Sequence, residues 1–327
     1  MPVLQNPAAG NIVLSEKGEN LITMKDWRIN STHEHYLIQP IDLLNEQTIC
    51  ECFAHIGSPY MVAMEEPRSY GEIIGNLLSE NALLPFGTAV CEIGGGYGSL
   101  MRGLLESYGD RVRHVLMVDL SSSLMKRQCR ILKNWEEKIS FVKGDAREII
   151  RAFRTIDVII CNEVAGDLET WTGLDPANLP EAVKEKVDRY ELSIPSRGEF
   201  NFNMGAIDIV EKICKIGAKA FIAEHSSDPI IPEEMAFLAR DLVLDGYPRE
   251  IRLKGHSEYT IRFEHLVKTA NCCGRKVRTG SLADLAGLQN KARMRSIFVG
   301  RMAGSEEHEI LYELLDHIRE YRWMLIL

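Results

Sequence analysis

The stretch VCEIGGGYGSL, Val90 to Leu100, sets an acid, Glu92, two residues ahead of the glycines Gly94, Gly95, Gly96 and Gly98. Glycines this dense weaken a helix or a strand, but they allow positive φ and let a ligand lie against bare main chain. A helix starting just after them offers free N–H groups. A dinucleotide asks for G-x-G-x-x-G; Gly94 and Gly96 fit, but the third position is Ser99. An acid followed by alternate glycines suits instead a ligand that carries an ammonium group. More polar residues follow at the ends of apolar runs. Asp119 ends VLMVDL, Asp145 ends FVKGDA, Asn162 and Glu163 end IICNEV, and Glu224 and His225 end FIAEHS. An aspartate at the place of Asp119 can accept both ribose hydroxyls of either ligand. Singly, Asp119 and Asp145 could cap the helices that follow; in register at successive strand ends they describe one nucleoside site. Glu163 can accept a substrate proton or hold a cationic nitrogen, and His225 can act as a base near neutral pH. Asp167 and Glu169 could complete an acidic pocket, and Trp171 could wall it.

These residues need a scaffold of strand ends. From Thr88 the chain alternates strand and helix: TAVCEIG, then SLMRGLLESYG; HVLMVDL, then SSSLMKRQCRILKNW; ISFVKGDA, then REIIRAF; IDVIICNEV; and the helix MGAIDIVEKICKI before GAKAFIAEHS. Near-continuous apolar strands alternating with helices predict a parallel sheet covered on both faces, with ligands outside the carboxyl ends of its strands. EIRLKG and RSIFVGRM read as late strands. The connection after CNEV is too long for a turn and reads as an insertion at about 165–203 over the carboxyl edge of the sheet. Residues 1–80 read as a lead-in with helical patterns from about Ile41 to Ile56 and from Ser69, packing on the domain formed by 81–327. HEILYELLDHIREYRWMLIL reads as an amphipathic helix with Ile310, Leu311, Leu314, Leu315 and Ile318 on one stripe. Its apolar end, WMLIL, is expected in the core, with a homodimer contact as the alternative.

With 327 residues, 38 basic and 47 acidic, the chain has a formal charge of −9, which argues against a general nucleic-acid binder. The basic run KRQCRILK reads as the solvated face of a helix. No stretch reaches the 18 apolar residues of a membrane span. MPVLQNPAAG lacks a charged region followed by an apolar one, so no secretory leader is expected. Of the eight cysteines, Cys91, Cys129, Cys161 and Cys214 read as small buried hydrophobes. Cys50, Cys52, Cys272 and Cys273 lack the paired spacing of a zinc site, and no metal is expected. Reduced thiols suggest the cytoplasm.

The acid, the alternate glycines and the polar strand ends together resemble the class I S-adenosylmethionine (SAM) methyltransferases. The resemblance implies an α/β, Rossmann-like sheet, mostly parallel with late antiparallel strands and helices on both faces. It implies SAM contacts from Glu92, Gly94, Gly95, Gly96, Tyr97, Gly98, Asp119, Leu120, Asp145, Ala146, Asn162 and Glu163, with Tyr70 over the cofactor from the lead-in. The acid at Glu92 would act through water or the amino-acid moiety, and Asp145 would accept from the adenine amino group. From Glu65 to Leu288 the chain also resembles the MidA-like branch, whose mitochondrial members methylate protein arginine. EEPRSYGEIIG, CNEV, RGEFNFNMGAIDIVEKICKIGAKAFIAEHS and RFEHLVKTANCCGRKVRTGSLADLAGL carry that likeness. CNEV runs on into AGDLETW where the branch has LDALP, and the fifth strand ends AEHS where it has DYG. A SAM-dependent methyltransferase is the expectation, with Glu163 and His225 as catalytic candidates. The acceptor would be a protein side chain or a small molecule. A non-catalytic SAM-binding partner protein is the alternative from another class.

Overall fold

The computed structural model describes residues 27–30, 32–38, 48–150, 155–244, 246–289, 291–301 and 304–327. Seven strands form its main sheet: β1 (Thr88–Ile93), β2 (Val112–Asp119), β3 (Ile139–Lys143), β4 (Val158–Asn162), β5 (Lys219–His225), β6 (Val277–Ser281) and β7 (Tyr321–Ile326). Their spatial order is β6-β7-β5-β4-β1-β2-β3. Strands β1 to β5 are parallel, and β7 runs antiparallel to both β5 and β6. The strand order reverses beside β1, which opens a crevice at the carboxyl ends of β1 and β4. Every residue of β1 is buried. Val90 faces one core while Ala89, Cys91 and Ile93 face the other, which is why the run shows no polar alternation.

The first core lies under α1 (Tyr70–Glu80), α2 (Ser99–Tyr108) and the later α6 (Glu306–Ile318). On that side of the chain α3 (Ser122–Ile131) follows β2, while α4 (Met204–Ile216) and α5 (Phe263–Cys272) cover the second core. Helices α1 and α2 cross at their glycines. A Cβ on Gly71 would lie 2.0 Å from the Leu100 carbonyl oxygen, so this close approach requires glycine. The Ser69 hydroxyl accepts from the Glu72 amide and starts α1 there. The crossing brings Tyr70 underneath the end of β4.

Four expectations are corrected. The helical pattern at the C-terminus stops at Ile318, and YRWMLI forms β7. Its alternate residues fill both cores, and Trp323, Met324, Leu325 and Ile326 are buried. A strand with apolar residues on both sides suits a central sheet position, and the end WMLIL is not available as an exposed dimer contact. RSIFVG, the part of RSIFVGRM up to Gly300, belongs to the helix Lys291–Gly300. Its Met294, Ile297 and Phe298 recur at helical spacing and are buried, with Phe298 stacked on Tyr312. EIRLKG supplies Glu250–Arg252, which pairs only with Ser257–Tyr259 in a separate hairpin. Cys91 and Cys161 are buried, whereas Cys129 is exposed and Cys214 half-buried.

After β4 the chain makes a single turn of 3₁₀ helix, Ala165–Asp167, then a strand Thr170–Leu174, a helix Glu181–Tyr190 and a strand Phe200–Phe202. The strand Thr170–Leu174 is the middle of a three-stranded antiparallel sheet whose other edge is Arg28–Asn30, from the start of the chain. Trp27 stacks on Trp171 with centroids 4.5 Å apart. The helical pattern expected from Ile41 lies partly outside the described residues; within them Ile49–Cys52 is helical. No helix of the described residues is long and apolar enough to cross a membrane.

Candidate active site

A cavity of about 580 Å³ opens at the carboxyl ends of β1, β2, β4 and β5, within the usual size of a ligand pocket. At one end lies the glycine turn. Gly94, Gly96 and Gly98 have φ of 62°, 51° and 90°, and Gly98 is the residue before α2. A Cβ on Gly95 would sit 2.5 Å from Met117 Cε and 3.2 Å from the Glu92 carboxyl carbon. Bare main chain therefore lines this wall. Glu92 is 2 % exposed and its Oε2 has no hydrogen-bond partner. Burial, with the nearby Asp119 charge, pushes its carboxyl up to about 8.

Asp119 is also buried, but it is held. Its Oδ1 accepts from the Ser121 amide at 2.8 Å and its Oδ2 from Gln128 Nε2 at 2.8 Å. Burial raises its carboxyl to about 6 against those bonds. Gln128 Nε2 also donates to the Gly96 carbonyl at 3.0 Å, so one amide ties α3, Asp119 and the glycine turn together. In the run KRQCRILK this residue reads as solvated; the structure buries it completely, and the only signal was an amide among basic neighbours. Asp145 Oδ1 accepts from the Arg147 amide at 2.8 Å and so caps Ala146–Ile149. Its Oδ2 pairs with Arg147 Nη2 at 2.7 Å. The capping alternative and a place on the cavity wall are thus both realised.

The other end is built from β4, β5 and distant segments. Asn162 Oδ1 accepts from Tyr70 Oη at 2.7 Å, and its Nδ2 donates to Glu163 Oε2 at 3.0 Å. Glu163 has φ 53°, a costly conformation for a residue with a side chain. Its carboxylate accepts from the amides of Ile49 (2.9 Å) and Cys50 (3.5 Å), from Asn162, and from Tyr321 Oη (2.5 Å). Burial raises its pKa while these bonds oppose the rise. Glu224 accepts from the Gly166 and His225 amides at 3.0 and 2.9 Å; burial, then the charge of Glu258, pushes it up to about 8. His225 packs on Tyr321 at 4.1 Å and edge-on to His317 at 4.8 Å. Its Nδ1 is buried without a hydrogen-bond partner, and burial, with His317 and Arg249 nearby, holds its pKa well below the usual value. The imidazole is neutral at ordinary pH and has a lone pair to offer.

The cavity wall gathers Glu92, Gly94, Gly95, Gly96, Tyr97, Asp119, Leu120, Asp145, Ala146, Asn162, Glu163 and His225. Gly98 and Tyr70 are not on it: Gly98 precedes α2, and Tyr70 stands behind Asn162. Asp167 is on the wall. Glu169 and Trp171 are not; the Trp171 indole donates to Glu169 Oε1 at 2.5 Å beneath the Trp27 stack. Sequence reasoning missed Gln128, Arg147, Glu258, His317 and Tyr321. Arg147 directly follows the Asp145–Ala146 pair, which was a usable signal; Glu258 and Tyr321 come from segments with none.

A methyl donor bearing a nucleoside and an amino acid fits these residues. The Glu92 carboxyl suits an ammonium group, Asp119 suits ribose hydroxyls, and the glycine turn borders the cavity with main chain free of side chains. Residues 90–185 match a family model described as a methyltransferase domain. No curated protein sequence matches the chain. Among solved structures, an uncharacterized superfamily protein from Burkholderia thailandensis is 13% identical with a TM-score of 0.53, covering 92% of this chain and 87% of that one. A second member of that superfamily from the same organism, bound to S-adenosyl-homocysteine, is 14% identical with a TM-score of 0.51, covering 85% and 78%. At such identities the likeness concerns the fold: a Rossmann-like class I methyltransferase sheet. The matched domain spans the glycine turn and the ends of β1 to β4.

Proposed function

We propose that this SAM-dependent methyltransferase delivers its methyl group to a heteroatom whose proton passes to His225. The observation that carries the reading is the imidazole of His225, held neutral by burial, on the same cavity wall as the glycine turn and Asp119. Bound SAM supplies a methyl group on a cationic sulfonium, so the protein contributes chiefly proximity and alignment.

Each residue then has a definable task. Asp119, fixed by Ser121 and Gln128, keeps lone pairs for two hydroxyls. Glu92 offers its unpartnered oxygen and ionises when a cation arrives. Tyr70 fixes the Asn162 amide so that it cannot turn away from the cavity. Glu163 was a catalytic candidate, but its carboxylate already accepts from four donors; this supports a positioning role, holding Ile49–Cys50 and β7 around the chamber. His225, kept neutral by burial, has a ring lone pair for proton removal. Tyr36, Thr48 and Cys50, from before the sheet, line the cavity as well and limit water there.

A second reading, methylation of a protein arginine, follows the MidA-like resemblance and is supported by Glu163 and Asp167 on the wall. The segments from before the sheet favour a slender acceptor in either case. The test is release of S-adenosyl-homocysteine from SAM with panels of small amines, small phenols and acids, and arginine-containing peptides. Turnover with one panel that vanishes in His225→Gln supports the reading. Turnover retained in that variant refutes the role of His225, and no turnover despite SAM binding favours a non-catalytic SAM-binding protein.

A further inference from the structure

The geometry points to a divalent-cation site formed by Asp167, His256 and Glu258 at the acceptor end of the cavity. One donor atom from each lies within 4.8 Å of the other two. The three come from two separate places. Asp167 ends the 3₁₀ turn after β4, Glu258 lies in the strand Ser257–Tyr259, and His256 precedes that strand. The His256 side chain is 4% exposed, and its Nε2 lies 3.2 Å from Glu258 Oε1. One imidazole with two carboxylates is a donor set for manganese, iron or zinc rather than for calcium, which prefers oxygen alone.

A third part of the chain supports the three residues, as outer partners orient metal ligands. The Thr32 hydroxyl is shared between the Asp167 carbonyl at 2.7 Å and Oδ1 at 3.1 Å, Tyr36 Oη donates to Glu258 Oε1 at 3.3 Å, and the His35 ring stacks on His256 at 4.2 Å. Charge points the same way. Glu224 stands close by on the same wall, while Arg249 is engaged with Glu320 at 2.5 Å and Arg319 with Asp316 at 2.7 Å. The carboxylates Asp167, Glu224 and Glu258 thus face the cavity together with no described arginine or lysine paired to them. A divalent ion would displace the protons that burial favours on Asp167 and Glu224 and balance the charges so formed. Because Asp167 and Glu258 line the cavity with Asn162 and His225, the ion would bind an oxygen or nitrogen of the acceptor and ease loss of its proton. The acceptor class this selects is a chelating one, with two adjacent donor atoms. That role rests on the methyl-transfer reading; binding of the ion does not.

The test uses the full chain stripped with a chelator, without SAM or acceptor. It is titrated with MnCl2, followed by the paramagnetic signal of free manganese, and with ZnCl2 against a chromogenic chelator. One equivalent bound per chain is expected, weakened at least tenfold in His256→Gln and in Glu258→Gln. S-adenosyl-homocysteine affinity should stay within twofold in both variants, showing that they remain folded. Absence of stoichiometric binding by the unaltered chain overturns the proposal, whatever the variants do. So does metal binding that both variants retain, or arginine peptides binding the stripped chain while neither metal does. If the ion binds but no acceptor is ever methylated, the site stands and the functional reading falls.

Discussion

The two ends of the cavity hold their acids in different ways. At the cofactor end the restraints on Asp119 and Asp145 come from close along the chain: Ser121 and Gln128 for one, Arg147 for the other. At the acceptor end they come from far away. Glu163 is held by Ile49 and Tyr321, Asp167 by Thr32, and Asn162 by Tyr70. A strand, its turn and its next helix can therefore assemble the first end as one local unit. The second exists only once the beginning and end of the chain have docked. The first end is suited to a constant ligand, and the second can change its acceptor by altering segments that leave the strand–turn–helix units intact.

The comparison can be broken most sharply at His225. His225→Gln should lower kcat by roughly 10²- to 10⁴-fold, the usual contribution of a general base, and leave S-adenosyl-homocysteine affinity within twofold by calorimetry. A matching loss of affinity would mean that the two ends are not separable. Asp119→Ala should do the reverse. Losing bonds to a charged acceptor, each worth about 1.5–3 kcal/mol, should weaken S-adenosyl-homocysteine by about 100-fold.

Glu163→Gln tests the distant restraints. Its amide group faces donors that the carboxylate accepted, and the unmatched partners should cost about 2 kcal/mol of stability, read in urea unfolding. If stability is unchanged while kcat collapses, Glu163 is a catalytic residue and not a positioning one. The pH response sharpens the contrast at the cofactor end. In the folded chain Glu92 sits near 8, above its ordinary 4.5, and Asp119 near 6, above 3.8. The folded state therefore binds the extra protons. The stability they lend is complete below about 4 and is lost as pH rises through about 6 and then 8. The slope contributed by Glu92 is at most about 1.4 kcal/mol per pH unit. Glu92→Gln should flatten urea stability between pH 5 and 8, and S-adenosyl-homocysteine should do the same to the unaltered protein while releasing protons. An unchanged slope in that variant would remove Glu92 from the account. The smallest effect is expected from Tyr70→Phe, which loses one neutral hydrogen bond to Asn162 at about 1 kcal/mol and should lower kcat/KM several-fold.

Much of the parallel half was legible. The acid, the glycines and the strand-end aspartates are each signalled by a few neighbouring residues, and they mark the wall of one cavity without any knowledge of packing. The strands β1 to β5 were equally plain, because burial on both faces demands unbroken apolar runs. YRWMLI was not: it follows a helical stripe without a break in hydrophobicity, and only the gap between β5 and β6 makes it a strand. Gln128 reads as surface because its neighbours are basic. Trp171 reads as a candidate pocket wall, but it is spent on Trp27, at the other side of the insertion.

The amino-acid order alone determined the glycine turn, its acid and the helix that follows, because the three are contiguous and their conformations are local necessities. Folding decided what surrounds the acceptor. Tyr321 meets Glu163 and Thr32 meets Asp167 across separations of 158 and 135 residues, and pairings at such distances follow from how the layers close, not from any pattern along the chain.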